Sequence, residues 1–170
     1  MTRSRSYPAT TILSLLTVFL LLVLGVLALP ASGAAEEFEA TSCYAGTFTA
    51  FQGSQELKPV FEWADDGVWR SPNNQFNNAA RHCAGVQRGV GPTREGYYFC
   101  KLVDTDGDII VFGGPYAGPK VRGPLLEGTG KWKGITGDVE SERIASAPKP
   151  AMPNSYQECS QVKGKFEVRK

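Results

Sequence analysis

Histidine is almost missing from this chain: His82 is the one imidazole in 170 residues. With four cysteines and no C-x-x-C pair, that scarcity argues against a zinc site, whose ligands come as closely spaced Cys and His. Catalytic triads assemble in space, not in sequence. Even so, His82 sits beside Cys83 with no identifiable Ser or Cys nucleophile near it, so it reads as a surface residue and no catalytic residue is assigned. Excess charge of one sign is missing too, with 18 basic against 17 acidic residues. A nucleic-acid binder needs a basic stripe to neutralise phosphates, and none is present. Beyond Ala35 no stretch keeps the 3.6-residue apolar period of a helix.

What is present divides into two unlike parts. Arg3 and Arg5 open the chain, Ile12 to Leu29 is apolar apart from Ser14, Thr17 and Gly25, and Pro30 leads into Ala31-Ser32-Gly33-Ala34-Ala35. A positive start, an apolar run and a small-residue exit make a signal peptide, residues 1–34, cleaved after Ala34. The protein is then expected to be exported, periplasmic or secreted. The competing reading keeps residues 12–29 as an inner-membrane anchor, the one route to a membrane that the sequence offers. Residues 35–170 are nearly neutral and suit a single domain.

That domain has the texture of an all-β protein. Gly and Pro punctuate segments rich in aromatic and β-branched residues. Strands are predicted over Cys43–Phe51, Leu57–Trp63, Cys83–Val90, Tyr97–Val103, Ile109–Phe112, Val121–Leu126, Gly137–Ile144 and Gln157–Val168, with a short one at Val68–Arg70. Asp65-Asp66-Gly67 and Asp106-Gly107 are hairpin-turn signals. Ser71–Arg81, with four Asn, and Ala147–Pro153, with three Pro, read as surface loops. Eight or so such strands make a barrel or a sandwich.

All four cysteines follow the signal, and an even number in an oxidising compartment implies two disulfides with three possible connectivities. A hairpin turning near Gly91-Pro92 places Cys83 opposite Cys100, within cross-strand reach. Cys43 and Cys159 remain, on the first and last strands, which are neighbours if the sheet closes on itself.

The run Glu127-Gly128-Thr129-Gly130-Lys131-Trp132-Lys133-Gly134-Ile135-Thr136-Gly137 invites a phosphate-loop reading, but the G-x-x-x-x-G-K-[ST] spacing is missing and no helix follows. Read physically it is a turn, with glycines at positive φ and Trp132 as an apolar plug. It resembles the G-G-T-G-x-[FYW]-x-G-x-x-G motif of the allene oxide cyclase and dirigent barrel superfamily, departing at Glu127. In small exported bacterial proteins with that barrel a Cys and a D-x-D-G-D turn lie upstream, matched here by Cys100 and Asp104-Thr105-Asp106-Gly107-Asp108. The resemblance covers roughly Tyr97 to Ile144. It implies an eight-stranded antiparallel barrel of calycin-like shape with an apolar lumen and association as dimers or trimers, and it transfers no catalytic residue.

The same Asp104, Asp106 and Asp108 start like a calcium loop but lack its Gly and terminal Glu, so a tight turn with solvent-facing carboxylates is the expectation, and no metal or cofactor is implied. Asp65-Asp66 and the alternating Asp138, Glu140 and Glu142 are read likewise as turn and solvated-face positions. Two functions remain open. One is a non-enzymatic barrel holding a small apolar or aromatic ligand, with Tyr44, Trp63, Tyr97, Phe99 and Phe112 as lumen candidates beside Phe48, Trp69 and Trp132. The other is a cyclase- or dirigent-like enzyme that steers a substrate's conformation. Ordinary core packing accounts for the same aromatics. A buried polar group with a perturbed pKa would favour the enzyme, and an uninterrupted apolar lining would favour binding or mere structure.

Overall fold

A computed structural model describes residues 34–51, 58–72, 75–146 and 152–169. The expected signal segment, apart from Ala34, and the alternative anchor over 12–29 lie outside the described residues, as do Leu57 and residues 147–151 of the proline loop. Eight strands run in order: β1 (Glu36–Phe51), β2 (Val60–Arg70), β3 (Ala79–Arg88), β4 (Glu95–Val103), β5 (Ile109–Ala117), β6 (Lys120–Gly128), β7 (Ile135–Ser146) and β8 (Ser155–Val168). Each pairs antiparallel with the next, and β1 pairs with β8, so the sheet closes as a barrel. Closure removes both sheet edges, with register shifts at Val111/Phe112 between β5 and β6 and at Arg143/Ala145 between β7 and β8.

Both disulfides take the expected partners. Cys43 and Cys159 are directly paired across the β1–β8 seam, and Cys83 faces Cys100 across β3 and β4. Their settings differ, because successive residues of a strand point to opposite faces. Cys83 and Cys100 are buried inside the barrel, whereas Cys43 lies on its outer wall.

One end of the barrel is filled. Phe38, Trp69, Phe76, Trp132 and Phe166 pack as an aromatic floor, with ring centroids 4.7 Å apart for Phe38–Phe76, 5.1 Å for Phe76–Trp132 and 5.7 Å for Trp132–Phe166. Such pairs add about 0.5–1.5 kcal/mol each beyond the area they bury. Phe76 corrects the expectation of a surface loop over 71–81. It is among the most buried side chains, Ser71 Oγ donates to the Glu39 carbonyl at 2.7 Å, and β3 already begins at Ala79. A composition reading averages one anchoring phenyl with its four Asn neighbours and so misses it.

The glycine run closes the same end. Gly130 and Gly134 take φ of 51° and 80°, the left-handed region that a Cβ disfavours, and the short 3-10 turn between them sends Trp132 inward. Gly128 is held against Trp132 across the turn, and Gly137 against the β8 backbone at Lys165 and Phe166. The acidic turn is the receptor for this loop, which corrects the solvent-facing reading of Asp104. Its Oδ2 accepts from Trp132 Nε1 and from Lys131 Nζ, each at 2.8 Å, while its Oδ1 accepts from the amides of Asp106 and Asp108 at 2.9 and 3.0 Å. Burial pushes the Asp104 carboxyl up, but these donors together outweigh it and hold the group below its ordinary value. Asp138, Glu140 and Glu142 do lie on the wall, paired with Arg122 and Lys120.

Candidate functional site

Above the aromatic floor the barrel is open. Among the described residues, Phe48, Phe61, Val90 and Arg94 lie at the mouth of a cavity of about 260 Å³. Its wall is built from inward-facing residues of successive strands. β2 contributes Phe61, Trp63, Asp65 and Trp69, and β8 contributes Tyr156, Glu158 and Val162. Among the lumen candidates, Tyr44, Trp63 and Phe112 line this cavity. Tyr97 and Phe99 do not: they lie on the outer face, 45% and 52% exposed, because Tyr98 and Cys100 of the same strand point inward. A shift of one residue in phase exchanges every side chain between the faces.

Asp65 forces the largest correction. Asp65-Asp66-Gly67 is not a turn: β2 runs unbroken through it, paired with Gly46, Ala45 and Tyr44 of β1. Asp66 faces out to His82, 2.6 Å away, while Asp65 faces the lumen and is 3% exposed. The turn signal fails because Gly67 serves a different need, the close approach of β2 to Tyr44, whose Cβ would lie 2.6 Å from any Cβ at that position.

Around Asp65 stands a polar cluster that sequence reading did not find. Arg81 Nη2 lies 3.0 and 3.2 Å from its two carboxylate oxygens, and the Tyr156 hydroxyl donates to Oδ2 at 3.0 Å. The Arg81 guanidinium also lies over the Tyr44 ring, 4.0 Å from its centroid. Tyr44 in turn donates to Glu158 at 3.2 Å and shares a 3.1 Å hydrogen bond with Ser160, and Arg143 pairs with Glu158 at 2.8 Å. Nearer the mouth the Tyr116 hydroxyl donates to Gln87 Oε1 at 3.0 Å. The available signal was the alternation in Phe61, Trp63, Asp65: a carboxylate in phase with aromatics on one strand face.

Burial sets the protonation of this cluster. It pushes the Asp65 carboxyl above its ordinary value, and Arg81 and Tyr156 offset only part of that. Burial likewise drives the Tyr98 phenol up to about 12, and it raises Tyr156 further still with the help of the Asp65 charge. Tyr44 and Tyr116 are raised for the same first reason. At neutral pH the phenols are therefore neutral donors. The arrangement can accept a flat molecule against aromatic walls, donate hydrogen bonds to it and move a proton at Asp65; Ser42 and Ser141 also line it, while His82 faces away on the outer wall against Asp66 and Cys100 is held in its disulfide.

Two pterocarpan synthase dirigent proteins superpose on this barrel with TM-scores of 0.51 and 0.53, each at 8% identity, covering 80% and 82% of this chain and 87% and 98% of theirs. The chain shares the dirigent barrel fold. A heme-binding cyclase of neoabyssomicin biosynthesis also aligns, with a TM-score of 0.46 and 16% identity over 99% of this chain and 84% of its own. The sequence matches no protein-family model and no curated protein. At these identities the likeness is one of fold, and function has to be argued from the cavity.

Proposed function

We propose that the protein is an exported barrel that receives a small aromatic molecule in its open end. The observation that carries this is the division of the lumen into a filled aromatic floor and an open cavity of about 260 Å³. Barrels of eight strands have room to fill themselves with side chains, and this one does so at one end only. The cavity lies just under the usual span of about 300–1,000 Å³ for small-molecule sites, which points to a ligand of one or two rings. The lining fits such a ligand, with aromatic faces for the ring and phenol, amide and guanidinium donors for its oxygens. Two closed disulfides suit the oxidising compartment that the leader predicts.

Native mass spectrometry of the gently purified protein, followed by a thermal-shift panel of one- and two-ring aromatics, tests the proposal. A ligand at a hundred times its Kd adds about 2.7 kcal/mol of stability. A panel in which no compound moves the midpoint, with no co-purified mass, would refute it.

The buried Asp65 supports a second reading, in which the barrel also acts on its guest as dirigent and cyclase barrels of this fold do. Its raised pKa, with Tyr156 hydrogen-bonded to it, provides a site for proton transfer. Oδ2 accepts from Arg81 and Tyr156, while Oδ1 lies 3.0 Å from Arg81 Nη2 and accepts no hydrogen bond among the described residues; the Arg81 pairing that holds the carboxylate puts binding and orientation first. An Asp65→Asn variant that binds the guest yet leaves it unconverted would establish the enzymatic reading; equal products with both proteins would exclude it.

A further inference from the structure

We infer that the molecule held in this cavity is an anion, an aromatic carboxylate whose acid group is taken by Arg81. The inference rests on the binding proposal and adds to it the charge and orientation of the guest. Arg81 engages Asp65 through Nη2, while among the described residues its Nη1, like the neighbouring Asp65 Oδ1, is buried with no hydrogen-bond partner. A guanidinium offers its donors in a fixed planar fork matched to a carboxylate, and here one arm of that fork makes no hydrogen bond, Asp65 meeting the guanidinium through Nη2 alone. A buried unmade hydrogen bond to a charged donor costs more than one between neutral groups, so an acceptor supplied from the cavity gains affinity by satisfying it.

The charges facing the cavity favour an anion as well. Its lining carries three arginines, Arg81, Arg94 and Arg143, against two carboxylates, Asp65 and Glu158. Arg81 pairs with Asp65 and Arg143 with Glu158. Arg94, at the mouth beside Tyr116, spends Nε and Nη2 on the carbonyls of Gly118 and Pro119 at 3.0 and 3.1 Å, and no carboxylate pairs with it among the described residues. One positive charge on the lining is thus left without a counter-charge. The guest enters past Arg94 and lays its ring among Tyr44, Trp63 and Tyr156, with its carboxylate against Arg81.

Calorimetric titration of the whole protein with 2-naphthoate and with its neutral isostere 2-naphthamide tests this. The expected result is that naphthoate binds at least tenfold more tightly. In the double variant Arg81→Gln/Asp65→Asn, which removes the fork and its counter-charge together and leaves the net charge unchanged, that advantage is expected to fall below threefold, with a melting curve confirming the fold. Equal affinities in the wild type would overturn the anion while leaving aromatic binding intact. An advantage that survives the double variant but disappears in Arg94→Gln would overturn the assignment to Arg81. If neither compound, nor any member of the aromatic panel, binds the wild type, the binding proposal itself falls.

Discussion

Trp132→Ala is expected to be the most damaging single substitution at the closed end of the barrel. The indole is 6% exposed, stacks on Phe76 at 5.1 Å, meets Phe166 edge-on at 5.7 Å and donates its N–H to Asp104 at 2.8 Å. Truncating a buried Trp costs about 3–5 kcal/mol from lost contacts and the cavity left behind. Asp104 retains Lys131 and two backbone amides, so the lost indole bond adds about 1.5 kcal/mol, the low end for a charged acceptor. At roughly 3–4 °C per kcal/mol for a domain of this size, the midpoint should fall by about 14–26 °C. Trp132→Phe separates the two parts, since it keeps most of the stacking and loses only the N–H. It should cost about 1–2 kcal/mol at neutral pH. Because Asp104 titrates below its unfolded value, the stability it contributes is present above that value and lost as pH falls through the folded one. The gap between Trp132→Phe and wild type should therefore narrow over that acidic window. Differential scanning calorimetry of the three proteins from neutral to acid pH reads all of this, and a Trp132→Ala protein that melts with the wild type would refute the reasoning.

Other substitutions and treatments probe separate parts of the structure. Gly130→Ala and Gly134→Ala should each cost about 1 kcal/mol or more by urea denaturation, because φ is positive at both sites and new Cβ atoms would meet Asp108 and the Arg169 carbonyl. Graded reduction with mass-spectrometric thiol mapping should open Cys43–Cys159 before Cys83–Cys100, since Cys43 is on the outer wall and the second pair is buried; simultaneous opening would contradict the assignment of faces. Full reduction should remove roughly 3 kcal/mol for the shorter loop and more for the longer one on the chain-entropy account, read as a loss of midpoint. Asp65→Asn should stay close to wild-type stability at neutral pH in urea denaturation, because burial already disfavours the Asp65 charge and its removal offsets the loss of Arg81's counter-charge. Because the folded Asp65 titrates high, wild-type stability should decline as pH rises from the unfolded carboxylate value through the folded one, a slope that the Asn variant lacks.

The barrel was legible in the sequence because its evidence is local and repeated. Turn glycines, aromatic and β-branched runs and the even cysteine count each mark an element without knowledge of its neighbours. Cys83 opposite Cys100 followed from counting outward from one turn. Strand limits were less legible. β2 absorbs a predicted strand, a predicted turn and a predicted short strand into one run, Val60–Arg70, and β1 begins at Glu36, well before Cys43. In both cases charged or small residues inside a strand look like interruptions, because propensity is a property of single residues whereas a ladder is closed by its partner.

The cavity was illegible for a related reason. Whether a side chain faces in or out depends on phase, and phase is fixed by pairing across the barrel. Tyr97 and Tyr98 are chemically the same residue, yet one is on the outer wall and the other beside Arg81's field in the lumen. Asp65 and Asp66 differ in the same way, one buried against Arg81 and Tyr156, the other 81% exposed beside His82. An aromatic inventory therefore identifies the wrong half of β4, and an inventory of acids passes over the one carboxylate that the fold has buried. What decides both is the cross-strand register. Trp63 faces in, so Asp65 and Gly67 must face in after it, and the strand that places a carboxylate there requires a cation nearby, which β3 supplies as Arg81, paired with Gly67 and so diagonal to Asp65. Read in that order, the polar centre of the lumen follows from the pleat once a single inward residue is known, and the unpaired arm of Arg81 becomes the first place to look for the ligand.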